Sequence, residues 1–394
     1  MKILTIIANP LGWLNPNNYG GGEINTVTSI NEWKNQGNEI TTIEPLSCSP
    51  SIKLNKKYEI KLIKLPFEKN NSFTSVLTTF IWTFKTVLAS KNIDCDIIYA
   101  STSNISDILP GYIISKLKRK PLVSSVRVSI YDKDTKKIFK KLREEGSSFF
   151  SSFARAVGAR MAIWILKRSD LVLTPCSLIK DTLSILGVKK EKITVLDHGI
   201  ETEKIMNGKD FKKEFHICYF SRVETNKGID DFLRICKTLS EKNPKFKAII
   251  IGNGSRSKDV EEYIKKEKLE KNIFLPGFII GDKKFDLIKK SKVVLYPTYA
   301  REGWGLIVPE TLCCGTPLIS YDNEITKNVF GKLKSVFFVK TGDINNLLET
   351  TKKIVDMGNK SYEKLKHLCI KEGSDYDIKK MAKMEINTFN EVLK

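Results

Sequence analysis

Short runs rich in Ile, Val and Tyr alternate with longer stretches of helical period along almost the whole chain, and this alternation leaves few architectures open. Strands joined through a helix lie parallel, so repeated strand–helix units predict parallel sheets wrapped by helices rather than a sandwich. The runs form two series. KILTIIA, EITTIE, EIKLIKL, DIIYAS, PLVSSV, DLVLTP and ITVLDH occupy the first half, and HICYFS, KAIIIG, NIFLPG, KVVLYPT, PLISY and SVFFV the second. They predict an α/β chain of two doubly wound domains joined by the polar stretch HGIETEKIMNGKDFKKEF (198–215). The expected limits are 1–205, 206–375 and a basic helix over 376–394 that crosses back to the first domain.

Bulk properties agree with two domains, because 394 residues exceed what one hydrophobic core usually serves. MKILTIIANP reads as a buried first strand with no charged-then-apolar leader ahead of it, so no signal segment is expected. FTSVLTTFIWTFKTVLAS (73–90) contains Lys85 and seven Ser or Thr, which favours an amphipathic helix over a membrane span. Eight scattered cysteines without a C-x-x-C pair suit a reducing cytoplasm and no zinc site. The net charge of +21 calls for phosphorylated substrates, anionic lipid or nucleic acid as partner, unless it is a solvated lysine-rich surface. No RNA-binding, zinc-finger or helix-turn-helix pattern accompanies that charge, so nucleic acid is not expected.

Ligands of open parallel sheets sit where strand ends lead into helix N-termini. SRVETNKG supplies Arg222 and Lys227 at such a place, two cations suited to a diphosphate or to a solvated surface beside a capped helix. IIIGNGS offers Gly252 and Gly254, which permit close backbone approach or a plain turn. REGWGLIVPE (301–310) follows an apolar strand. Its Glu310 can accept two ribose hydroxyls, Glu302 can reach sugar hydroxyls, and Trp304 can anchor the loop while Gly303 and Gly305 leave amides open. Pro309 is expected at the first helical position. NNYGGGEINTV places Gly20 to Gly22 ahead of a helix, as at phosphate sites and as in many tight loops.

Together, GGGEINTVTSINEWKNQGNEIT, VLDHGIETEKI, SRVETNKG, FLPGFI and YPTYAREGWGLIVPETLCCGTPLIS resemble, in order and over nearly the whole chain, the retaining GT-B glycosyltransferases of family 4. The resemblance implies two Rossmann-like domains facing a central cleft, with the first binding acceptor and the second a nucleotide sugar. Arg222 and Lys227 would then hold the diphosphate, Glu310 the ribose, and Glu302 with the backbone of Gly303, Trp304 and Gly305 the transferred sugar. Gly254, Phe278 and Leu306 would complete the donor set, and Gly21 and Gly22 would approach the phosphates from the opposite wall. The nucleotide sugar is a substrate, and neither a cofactor nor an obligatory metal is expected. Retention would proceed by same-face attack, with Glu302 not acting as nucleophile.

The resemblance departs at two places. Arg127 stands where many relatives carry a histidine; it cannot serve as a general base but can bind a phosphate. His198 replaces a usual asparagine and is an acceptor-side candidate or a packed loop residue. DCD (94–96) has the form of a metal-binding D-x-D but reads better as the start of a strand. The stretch 132–168 holds ten Lys or Arg against four acids, interleaved with Phe149, Phe150, Phe153 and Trp164. It suits an anionic membrane face and a phosphorylated or lipid-linked acceptor, or else a core with a wet basic side. A sugar-nucleotide epimerase, a phosphorylase or a basic nucleic-acid-binding protein remain the other readings.

Overall fold

The structure is a computed structural model that describes residues 1–8, 21–46, 58–65, 72–127, 135–144, 148–279, 281–300 and 302–394. Gly20, and within 132–168 the residues 132–134 and 145–147, lie outside the described residues. The chain divides into two compact units, Met1–Gly199 with Ile378–Lys394, and Ile200–Asp377.

In the first unit, β1 (Lys2–Ile6), β2 (Glu39–Pro45), β3 (Glu59–Ile63), β4 (Ile97–Ala100), β5 (Leu122–Ser125), β6 (Leu171–Thr174) and β7 (Ile193–Val195) form one parallel sheet in the order β3-β2-β1-β4-β5-β6-β7. Between them run α1 (Gly21–Asn35), α2 (Ser72–Ser90), α3 (Ile105–Lys118), α4 (Thr135–Glu144), α5 (Phe149–Leu166) and α6 (Ser177–Ile185). Every residue of β4, β5 and β6 is buried, as expected of a parallel sheet covered on both faces. The two acids of DCD meet Lys2: Asp96 accepts its backbone N–H at 2.7 Å and Asp94 its ammonium at 2.8 Å. They fasten the starts of β1 and β4.

The second unit contains α7 (Thr202–Met206), β8 (Phe215–Phe220), α8 (Ile229–Lys242), β9 (Ala248–Ile251), α9 (Ser257–Lys266), β10 (Ile273–Gly277) and α10 (Asp282–Lys289). It continues with β11 (Ser291–Tyr296), α11 (Ile307–Cys313), β12 (Leu318–Tyr321), α12 (Glu324–Phe330), β13 (Val336–Val339), α13 (Ile344–Val355) and α14 (Asn359–Ser374). Its parallel sheet has the order β10-β9-β8-β11-β12-β13. The chain enters this unit after Gly199 rather than after the expected 205, and leaves it after Asp377 rather than 375. The shift has a local cause. Ile200 N–H bonds Tyr376 C=O at 2.9 Å and the Thr202 hydroxyl bonds Asp377, so the outgoing and returning segments pair and keep α7 with the second unit.

The last helix, α15 (Ile378–Val392), belongs to the first unit and packs on α1. Phe389 lies edge-on to Trp33 at 5.3 Å, and Trp33 in turn to Tyr99 of β4 at 5.1 Å. Trp33 Nε1–H donates to Glu385 Oε2 at 2.8 Å. Burial raises the Glu385 carboxyl from 4.5 to about 7, against the opposing effects of Trp33, Arg127 and Ser29. The folded chain thus retains a proton that the unfolded chain releases. The associated stability is complete below pH 4.5 and is lost as pH rises through about 7. Urea unfolding at pH 5 and pH 8 is expected to show wild type losing about 3 kcal/mol more than Glu385→Gln over this interval. Parallel losses in the two proteins would exclude Glu385 as the source.

Candidate active site

The second unit gathers its unusual residues at the carboxyl ends of β8 and β11. After β8 the chain makes a turn of 3₁₀ helix, Thr225–Lys227, and then Gly228 adopts φ 71°. A Cβ at Gly228 would sit 1.8 Å from Pro297 C=O, so only glycine lets this turn press against the segment after β11. The close approach delivers Lys227 to Glu302. Lys227 Nζ lies 2.5 Å from Glu302 Oε1, with the two side chains 9% and 13% exposed. The Thr298 hydroxyl donates to the same oxygen at 2.9 Å. Two charges so far from water persist because each neutralises the other. Arg222 differs: its side chain is 56% exposed and touches Glu224 at 3.1 Å, which leaves the guanidinium accessible to an anion.

The loop that carries Glu302 is tied down along its length. Tyr299 and Ala300 N–H groups both donate to Asn226 C=O at 2.9 Å, joining the two strand-end segments. Below them the buried Asp231 accepts from the hydroxyls of Tyr299 and Tyr321 at 2.5 and 2.7 Å. Trp304 is buried edge-on to Phe330 and Tyr376, with centroids at 5.0 and 5.5 Å. Gly305 then takes φ 107° and α11 begins at Ile307. Pro309 is therefore third in the helix rather than first, still within the turn whose amides have no intrahelical acceptor.

Glu310 meets a lysine that sequence reasoning passed over. Lys284 of α10 places Nζ 3.0 and 3.1 Å from the two Glu310 oxygens, with both side chains 16% exposed. The ammonium also lies 5.0 Å from the Phe220 ring and 4.4 Å from that of Phe285. Each glutamate of the decapeptide therefore has its own lysine. Among the other expected donor contacts, Phe278 presents an exposed ring just past β10, and Leu306 precedes the first turn of α11. Gly254 packs against its own chain: a Cβ there would meet Val223 C=O at 2.2 Å, and its N–H donates to Ser257 Oγ at 3.0 Å. Gly252 is likewise pressed on Ser221 C=O.

The first unit has a separate cluster beyond β4, β5 and β7. Arg127 donates from Nε to Ser101 C=O at 3.2 Å, and from Nη1 to Gly22 C=O at 2.7 Å and Asn25 Oδ1 at 3.1 Å. Asn25 in turn donates to Gly199 C=O at 3.0 Å. Arg127 thus binds the first turn of α1, which opens at Gly21, to the sheet. Burial first, and Arg127 second, hold the half-buried His198 well below its usual 6.5, so its imidazole is neutral at pH 7.

The family described as Glycosyltransferase Family 4 matches residues 19–204, and Glycosyl transferases group 1 matches residues 201–372. The chain belongs to the group 1 glycosyltransferases. It is 23% identical over 356 residues to the 2-deoxystreptamine N-acetyl-D-glucosaminyltransferase of Niallia circulans, covering 85% of this chain and 88% of that one. Its fold is that of Anabaena HepE in complex with UDP and glucose (TM-score 0.73, 16% identity, 99% of each chain). It is also that of a Staphylococcus aureus TarM mutant in complex with Fondaparinux, α-GlcNAc-glycerol and UDP (TM-score 0.67, 12% identity, 99% of each chain). These solved neighbours are GT-B glycosyltransferases, and the two parallel sheets with interleaved helices give this chain the same fold.

Within this glycosyltransferase the structure brings Lys227 and Glu302 together and places Arg222 on the same strand-end turn, while Glu310 stands apart with Lys284. Arg127, Gly22 and His198 form their own group in the first unit. Lys284, Asp231 and Asn25 were missed as contributors. For Asp231 a signal existed, an acid in the first turn of a helix that follows a cation-bearing loop; Lys284 looked like any other lysine of a basic helix.

Proposed function

We propose that the enzyme moves a hexose from a UDP- or GDP-linked donor to an acceptor that bears a hydroxyl or a phosphate, a lipid-linked one among them, with retention of configuration and without a metal. The observation that carries this reading is a pair of largely buried carboxylates, Glu302 on Lys227 in the loop after β11 and Glu310 on Lys284 in the first turn of α11. An ionised carboxylate only accepts hydrogen bonds, so the two select a ligand with hydroxyls at two points, such as a ribose and a hexose. Arg222 and Lys227 supply the positive charge that a diphosphate between those points requires. The UDP named in the HepE and TarM complexes supports a uridine donor. Seven described cysteines, all buried free thiols, support a reducing cytoplasmic setting.

In the proposed step the bond from the anomeric carbon to the leaving phosphate oxygen breaks with its electron pair passing to the phosphate. The acceptor oxygen bonds to the same face of that carbon, and its proton passes to the departing phosphate. Arg222 and Lys227 stabilise the charge that develops on the phosphate, the electrostatic form of catalysis. Glu302, held by Lys227 and Thr298, orients the sugar and does not act as the nucleophile in this step. Arg127 provides the cation for an acceptor phosphate, and His198 a neutral imidazole beside it.

A panel of UDP- and GDP-sugars, scored by thermal shift and donor hydrolysis, tests the reading. Stabilisation by one nucleotide class is expected, with Glu310→Ala weakening donor binding about a hundredfold through loss of two charge-assisted hydrogen bonds. Lys284→Met is expected to weaken it about tenfold, and to do so less for a 2′-deoxy nucleotide, because the lysine acts through Glu310 on the ribose. No stabilisation by any donor, or equal loss for ribo- and deoxyribonucleotides, would remove the assigned role.

A further inference from the structure

The first unit carries an apolar surface that the transfer reaction does not use. On α2, Leu77, Phe80, Phe84 and Leu88 are exposed at spacings of three and four residues, a single helical stripe facing outward. On α5 the exposed stripe is Phe150, Phe153, Val157, Met161 and Trp164. The two helices touch each other. The inward face of α5 is built largely from small residues, Ser152, Ala156, Ala159 and Ala162, with Gly158 3.6 Å from Ile105 of α3 at the position a Cβ would take. This inverts the usual arrangement, in which the bulky apolar side chains point into the core. The aromatics of 149–164 are therefore not core residues, the other reading that the sequence had left open.

Charge identifies the occupant. Neither α2 nor α5 contains a carboxylate, whereas Lys85, Arg155 and Arg160 lie on them and Lys167 and Arg168 follow directly. The Arg168 guanidinium lies 3.8 Å from the Trp164 ring centroid, a cation seated on an exposed indole. Alongside, α4 exposes Lys136, Lys137, Lys140 and Arg143, and Phe139 packs edge-on to Phe149 at 5.3 Å. Aromatics rimmed by cations fit lipid acyl chains beneath anionic headgroups. A second copy of the chain would set like charges against each other. By length and composition α5 could cross a bilayer, but its buried face, including Ile163, Ile165 and Leu166, belongs to the unit's interior.

We propose that the outer faces of α2 and α5 together form a docking surface for an anionic lipid bilayer, on which the protein lies without crossing it. The proposal is independent of the donor reading, because binding to vesicles is scored with no donor present. The full chain is sedimented with phosphatidylcholine vesicles, and with vesicles containing about a third phosphatidylglycerol. Binding to the anionic vesicles is expected at low salt, weakening as salt rises, with little on phosphatidylcholine alone. The double variant Phe84→Ser, Phe153→Ser alters two exposed rings and is expected to bind at least tenfold more weakly while keeping its circular dichroism and melting temperature. Arg155→Glu with Arg160→Glu is expected to abolish the preference for phosphatidylglycerol. The proposal is overturned by equal binding of wild type and the Phe variant, by no vesicle binding at all, by resistance to alkaline extraction from vesicles, or by a solution dimer that the Phe variant dissociates.

Discussion

Lys227→Ala is expected to lower kcat/KM for glycosyl transfer by about a thousandfold, the largest activity loss of any single substitution here. Two effects combine. The ammonium is one of two cations assigned to the leaving diphosphate, and removing such a charge-stabilising donor costs about a hundred- to a thousandfold in kcat. It is also the partner of Glu302 at 2.5 Å in a site nearly closed to water, so the variant leaves a carboxylate without its cation. Breaking one half of a buried pair costs about 3–5 kcal/mol, part of it appearing as disorder in the donor loop. The companion variant Lys227→Ala, Glu302→Gln separates the two. It is expected to recover thermal stability to near wild type while remaining about a hundredfold below it in kcat, because the phosphate still lacks its cation. Steady-state transfer kinetics and melting curves on the three proteins read both effects. Full activity in Lys227→Ala would remove the lysine from the chemistry altogether.

Trp304→Ala is expected to destabilise the second unit by about 3–5 kcal/mol, the range for emptying a buried indole site. The ring is held edge-on by Phe330 of α12 and by Tyr376, which precedes α15, so its loss opens a cavity between elements distant in sequence. For a unit of this size the shift is roughly 10 °C in melting temperature, read by calorimetry. Trp304 also sits two residues after Glu302 and immediately before Gly305, whose φ of 107° turns the chain into α11, so the loop geometry depends on it. Donor-induced stabilisation is therefore expected to fall with Trp304→Ala and to be largely retained in Trp304→Phe, which still fills most of the space. A variant that melts like wild type would show that the loop is held by Asp231 and Asn226 instead.

Much of the architecture was legible beforehand, for a physical reason. Each of the thirteen strands among the described residues coincides with a run that its own alternation or apolar continuity had marked, with β2, β8 and β11 reaching one residue beyond theirs, because strands buried on both faces must be rich in β-branched and aromatic residues. The limits of the two units were less legible. Ile200, Tyr376 and Asp377 pair across most of the second unit's length, and nothing in a local window around residue 205 signals that bridge. The donor loop was legible as a loop, since Gly303, Trp304 and Gly305 after a strand mark one. Its fastening was not: Asn226 and Asp231 look from sequence like the ordinary polar residues of a turn and a helix start.

By itself, then, the amino-acid sequence determined the alternation of strands and helices, the two parallel sheets, the family and the residue types available for chemistry. These follow from periods of two and 3.6, which report on neighbours a few residues away. Only the tertiary structure decided which lysine neutralises which glutamate, with 75 residues separating Lys227 from Glu302 and 26 separating Lys284 from Glu310. It also decided which faces of α2 and α5 point outward. Such choices depend on which strand ends lie side by side once a sheet has assembled, and no local pattern encodes that adjacency.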